Sequence, residues 1–103
     1  MNKKYSLRIL PIFEEDLLNI VNYISIKLDN PQAANKLVDE VEEAILNRLR
    51  SPASFEKFVS VKKREHDYYR IRVKNFTVFY VLIDNIMEVR RILYNKRDFS
   101  NIL

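Results

Sequence analysis

Glycine, cysteine and tryptophan are absent from this 103-residue sequence, histidine occurs once and proline three times. Without glycine the chain cannot build the loops that bring backbone against phosphate, which excludes Rossmann and P-loop nucleotide sites. Without cysteine there is no disulfide scaffold, thiolate metal site or cysteine nucleophile. The single histidine, His66, rules out a two-histidine metal site and a two-histidine acid–base pair. No DxD or ExxE carboxylate cluster falls on a strand, so metal catalysis is not expected and no cofactor is implied. No apolar run reaches the ~18 residues of a membrane span. The opening MNKKYSLRILPIFEEDLL has a short apolar stretch followed at once by acids, unlike a signal peptide. These absences predict a cytoplasmic chain with no membrane partner.

At 12.4 kDa the chain has the length of a single domain, 1–103. Apolar residues make up 48% and charged residues 31%, the balance of a globular protein. The net charge of +4 is unevenly spread. Residues 1–50 carry seven Lys/Arg against eight Asp/Glu, net −1; residues 51–103 carry eleven against six, net +5. A basic half beside a neutral half points to one face that meets an anion, either nucleic acid or an acidic protein. Solvated cations on exposed strands are the alternative.

Tyr5 to Ile9 alternates apolar and polar, the period of a half-buried strand. Pro11 stands where a helix can begin, acids follow at 14–16, and Phe13, Leu17, Ile20, Val21, Ile24 and Leu28 form one stripe over roughly 12–28. Asn30-Pro31 is a second start signal. Ala34, Leu37, Val38, Val41, Ile45 and Leu49 make the next stripe, which stops before Pro52. Two such helices joined by a short turn pack as an antiparallel hairpin. The period then changes. A weak strand at 58–61 and a charged connection at 62–67 precede strands over 68–74, 76–83 and 86–94 and a short tail. The order β-α-α-β-β-β predicts an α+β domain of two layers: an N-terminal strand at a sheet edge, the helix hairpin, then an antiparallel β-meander.

With the helices on one sheet face, Arg70, Arg72 and Lys74 fall on the other at period 2, and Arg90, Lys96 and Arg97 add to them. Guanidinium groups grip phosphate at two points, and a tyrosine such as Tyr80 or Tyr94 can stack on a base or donate a proton. Lys74, Arg90 and Lys96 are the expected nucleic-acid contacts. Metal-free RNA cleavage also needs a base and an acid, and only Glu65, His66 and Asp67 lie close in sequence to the cationic strand. A charged face that merely keeps the sheet soluble is the competing reading.

The sequence resembles the RelE/ParE superfamily of bacterial type II toxins over nearly its whole length. The resemblance runs from Leu7-Arg8-Ile9-Leu10-Pro11 through Asn30-Pro31-Gln32-Ala33-Ala34 and Arg50-Ser51-Pro52. It is strongest in Tyr69-Arg70-Ile71-Arg72-Val73, Phe79-Tyr80-Val81, Val89-Arg90-Arg91-Ile92-Leu93-Tyr94 and Lys96-Arg97-Asp98. It implies a growth-inhibiting toxin neutralised by a cognate antitoxin, whose contacts with so basic a chain would be acidic. Two activities are implied: RelE-like cleavage of mRNA on the ribosome, and ParE-like poisoning of DNA gyrase. For cleavage, the resemblance places catalytic roles on Arg70, Arg72, Tyr94 and Arg97. Thr77 and Leu103 stand where RelE-like enzymes carry a further arginine and a terminal tyrosine. The alternative is a basic binding domain with a degenerate site.

Overall fold

The computed structural model describes residues 4–58 and 65–103. Strand β1, Ser6–Ile9, leads into helix α1, Pro11–Asn22. Leu10 is extended (φ −77°, ψ 148°), and Pro11 supplies the preset φ of the first helical residue. A π-helical turn, Tyr23–Lys27, continues α1, and helix α2 spans Pro31–Arg48. The sequence predicts one helix over 12–28; the structure instead widens its last turn. Asn30 caps α2 through its side chain, which accepts from the Ala33 amide at 3.1 Å. Ala34, Leu37, Val41 and Ile45 are the buried stripe of α2.

The remaining strands are β2, Lys57–Phe58; β3, Tyr68–Val73; β4, Phe76–Ile83; and β5, Ile86–Tyr94. The weak strand expected at 58–61 is represented by Lys57–Phe58, while 59–61 and the charged connection at 62–64 lie outside the described residues. The sheet order is β1-β5-β4-β3-β2. The meander is antiparallel, and β1 takes the predicted edge position, parallel to β5 with Arg8 opposite Glu88. Alternation places a strand against a sheet but does not fix its direction. Here the helix hairpin sets that direction, because β1 must feed α1 back across the sheet.

The helix-facing side of the sheet presents Tyr69, Ile71 and Val73 from β3, Val78 and Tyr80 from β4, and Met87, Val89 and Ile92 from β5. These close on Phe13, Leu37, Val41 and Ile45. The far face holds a second, smaller apolar cluster of Tyr68, Phe79, Val81 and Leu93. The tail accounts for its burial. Residues Phe99–Ile102 form a short helix, α3, and Phe99 packs edge-on against Phe79 with centroids 4.8 Å apart. Phe58 completes the group, 5.7 Å from Phe79 and 6.2 Å from Phe99. A four-residue helix has too little stripe to be legible in sequence; packing against Phe79 stabilises it.

With no glycine available, the left-handed positions fall to Asp29 (φ 51°), Lys74 (φ 53°) and Asp84 (φ 55°). Aspartate tolerates this region because its short side chain bonds locally. Lys74 has no such help and bears a strain of about 1 kcal/mol or more.

Helix α1 is clamped to the sheet by one ion pair. Asp16 accepts from Arg91 Nε at 2.7 Å and Nη2 at 2.8 Å, and from the Ile92 amide at 3.2 Å. The clamp sits at a β-bulge. Phe79 opposes Arg91 and Tyr80 opposes Val89, so Arg90 is the extra residue. The Asp16 hydrogen bond outweighs the cost of burial and holds the Arg91 pKa above its ordinary value. Replacing Asp16 by Ala leaves a mostly buried guanidinium and the Ile92 amide without this acceptor. Asp16→Ala is therefore expected to destabilise by about 2–3 kcal/mol. At ~4–8 °C per kcal/mol the melting temperature should drop by about 8 °C or more, measurable by thermal unfolding.

Candidate functional site

The cations predicted to share one surface separate into three groups. Arg70 and Arg72 are exposed on the far face, opposite Phe79 and Thr77. The Arg70 guanidinium lies 5.3 Å from the centre of the Phe58 ring. Arg72 forms no ion pair with a described residue. Lys74 does not continue this row. The left-handed backbone of the β3–β4 turn directs its ammonium to Glu40 of α2, 3.4 Å away.

Arg90 forms the second group. It reaches across the far face to the Tyr68 hydroxyl at 3.3 Å and binds Glu88 at 3.4 Å. Arg8 approaches the same carboxylate at 4.0 Å. Burial works against the Arg90 charge, but the bonds to Tyr68 and Glu88 prevail and raise its pKa. Nε of Arg90 is buried without a hydrogen-bond partner among the described residues. This arginine therefore joins β5 to β3 instead of standing free, and Glu88 carries the link on to Arg8 of β1. Glu88, almost fully buried, was not singled out by sequence reasoning. Its in-register pairing with Arg8 could have been inferred only with the parallel register in hand.

Tyr94 and Arg97 form the third group, at the other side of the sheet. Tyr94 opposes Phe76, with ring centroids 5.8 Å apart, and both line a groove with Arg97. The groove lies between the end of β4–β5 and the helix hairpin and has a volume of about 660 Å³. Its walls are Ile20, Ile24, Leu28, Phe76 and Ile92, and Tyr23 stands at the hairpin side. Arg70 and Arg72 are not among its lining residues. Lys96 is exposed in the turn after β5. The alternation of the strands explains the division. Val73, Phe76 and Tyr94 share the helix-side face, whereas Arg72, Thr77 and Leu93 share the far face.

Tyr80, expected among the surface cations, is fully buried on the helix side. Its hydroxyl donates to the Pro52 carbonyl at 2.7 Å and accepts from Arg48 Nη1 at 2.9 Å. Burial pushes its pKa up, and the Arg48 hydrogen bond partly opposes that shift. Thr77 is buried and contacts the Asn95 side-chain oxygen at 2.5 Å, which fixes the turn carrying Arg97. His66 lies in the connection before β3, 3.9 Å from Glu65. Glu65, His66 and Asp67 are not among the residues that line the Tyr94–Arg97 groove, and its Asp16 is engaged by Arg91 and the Ile92 amide.

The assignment of Arg90 to the scaffold has a measurable consequence. Glu88→Ala strips a half-buried guanidinium of its carboxylate and should cost about 1–2 kcal/mol in urea unfolding. Arg72→Ala, at an exposed position, should change stability by no more than about 0.5 kcal/mol.

Residues 7–99 match the family model described as the ParE toxin of the type II toxin–antitoxin system parDE. No curated protein matches the chain. Among solved structures, a chain of the chromosomal ParDE toxin–antitoxin system from P. aeruginosa superposes with a TM-score of 0.72 at 15% identity, covering 89% of this chain and 97% of that one. A chain of the archaeal RelE–RelB complex from Pyrococcus horikoshii OT3 gives 0.61 at 17% identity, covering 92% and 99%. The RelB–RelE antitoxin–toxin complex from Methanococcus jannaschii gives 0.57 at 20% identity, covering 93% and 99%. At these identities the likeness is one of fold.

Proposed function

Because this chain belongs to the ParE toxin family of type II toxin–antitoxin systems, we propose that it arrests growth by protein contact, as a poison of DNA gyrase, and is held inactive by a cognate antitoxin. The observation that carries this reading is the separation of the candidate catalytic side chains. Cleaving RNA without a metal requires a base, an acid and phosphate-binding cations around one phosphate. Arg70 and Arg72 lie on the far face, while Tyr94 and Arg97 line the groove on the helix side. The position that would add a further cation is the buried Thr77. What remains is a groove with apolar walls and an exposed tyrosine at each side, the composition of a protein-binding surface.

The membrane plays no part in this reading, and among the described residues no helix is long and apolar enough to cross one. The low acid content of the second half, net +5, favours acidic contacts from the antitoxin.

Induced expression without the antitoxin discriminates between the mechanisms. Growth arrest with double-strand breaks and a DNA-damage response is expected. The double variant Arg70→Ala/Arg72→Ala should retain it, because both side chains are exposed and outside the groove. Cleaved mRNA on stalled ribosomes, lost in that double variant, would establish a nuclease instead. Unimpaired growth at confirmed expression would leave a basic binding domain with a degenerate site.

A further inference from the structure

The segment after α2 carries an aromatic side chain that is both exposed and fixed. Phe55 is 48% exposed, and its ring lies 3.5 Å from the Arg48 guanidinium. That guanidinium is itself tied down, to the Arg70 carbonyl at 3.1 Å and the Tyr80 hydroxyl at 2.9 Å. Tyr80 is buried, donates to the Pro52 carbonyl at 2.7 Å, and stacks on Tyr69 with centroids 5.1 Å apart. Pro52, fully buried, pins the middle of the segment. A line of packed groups thus runs from the core to Phe55. With one face on a fixed cation, the ring is held in place before any partner arrives.

A side chain ordered by folding costs little to order again on binding, and a few such anchors carry most of the energy of a protein interface. The cation under Phe55 offsets the pull of the ring on a second cation, so the open face suits an apolar side chain. Residues 48–57 hold Arg48, Arg50 and Lys57 against the single carboxylate of Glu56. Lys57 is engaged by Asp67 at 3.3 Å. Arg50 is exposed and forms no ion pair with a described residue. An occupant must therefore bring an apolar group for Phe55 and a carboxylate for Arg50. The place is separate from the groove. Asn30 and Ala33, at the start of α2, line the groove, and the 18 residues of α2 put about 27 Å between that end and Arg48.

We propose that Phe55 and Arg50 form the surface that docks the poisoned target protein. Phe55 seats an apolar side chain of an acidic patch on that protein, and Arg50 pairs with a carboxylate of the same patch. Arg48 is a positioning residue that holds the ring outward. This inference rests on the reading of the chain as a gyrase poison, and it places the contact with gyrase at the end of the hairpin away from the groove.

The test titrates the full chain into supercoiling by the host's purified gyrase holoenzyme and measures its affinity for that enzyme by biolayer interferometry at two salt concentrations. Phe55→Ala should raise the half-inhibitory concentration and weaken binding at least tenfold, the scale of a hot-spot anchor. Phe55→Tyr, which keeps the ring, should stay within threefold of the parent. Arg50→Glu should weaken binding at least tenfold and flatten its salt dependence. Lys36→Glu makes the same charge change at an exposed position in the first half of α2 and should stay within threefold. Thermal unfolding shows that each variant is folded at the assay temperature, and Arg50→Glu carries the test alone if Phe55→Ala is not. Variants at Phe55 and Arg50 within threefold of a parent that inhibits gyrase would overturn the docking surface while leaving the gyrase reading intact. Equal losses for Arg50→Glu and Lys36→Glu would do the same, since net charge would then explain both. A parent that neither binds nor inhibits gyrase would overturn both readings. Equal losses of affinity for a bare DNA duplex would assign the surface to nucleic acid and overturn the proposal.

Discussion

Everything on the helix side of this protein depends on the bonds that Asp16 makes to the bulge in β5. The hairpin of α1 and α2 must lie on a sheet with an irregularity, because Arg90 is one residue more than β4 can pair. Asp16 uses that irregularity. It takes two guanidinium hydrogens of Arg91 and the Ile92 amide, and so fixes the angle at which α1 crosses β5. A bidentate, mostly buried pair of this kind is directional as well as strong. Were α1 free to slide, the gap between its last turn and the β4–β5 end would have no defined width.

A second latch works at the other end of the hairpin. Arg48 closes α2 by bonding the Arg70 carbonyl at 3.1 Å and the Tyr80 hydroxyl at 2.9 Å, and its guanidinium stacks 3.5 Å from the centre of the Phe55 ring. Arg90, Glu88 and Arg8 tie three strands across the far face. Of the basic residues in the second half, several therefore serve the scaffold, and the net charge overstates the free cations. Arg72 and Arg97 remain exposed and are carried on opposite sides of the sheet.

The absence of glycine shaped the turns and the helix junction. Both tight hairpins and the α1–α2 connection use left-handed Asp or Lys, each stiffer than glycine in the unfolded chain. At Lys74 the strained backbone moves a predicted surface cation to Glu40 of α2. Between the helices, the π turn and left-handed Asp29 together turn the chain and leave Ile26 and Leu28 outside the core.

Residue order alone determined the elements and their grouping. Periods of 3.6 and 2 are written in the stripes of Phe13 to Ile24, Ala34 to Ile45 and Tyr69 to Val73, and proline and asparagine mark the helix starts. The α+β class, the helix hairpin and the antiparallel meander come from these patterns, since each element has one face it must bury. Only the tertiary structure decided the direction of β1, the bulge at Arg90, the folded tail around Phe99 and the π turn at Tyr23. Most of these depend on a partner distant in the chain: β5 for β1, β4 for the bulge, Phe79 for the tail. The candidate site divided for the same reason. Sequence showed that Arg70 and Arg72 were cations within one strand, and that Tyr94 and Arg97 stood at the end of the last strand and in the tail after it. Their allocation to two faces came from the register of β4 against β3 and β5, where a shift of one residue reverses every side chain.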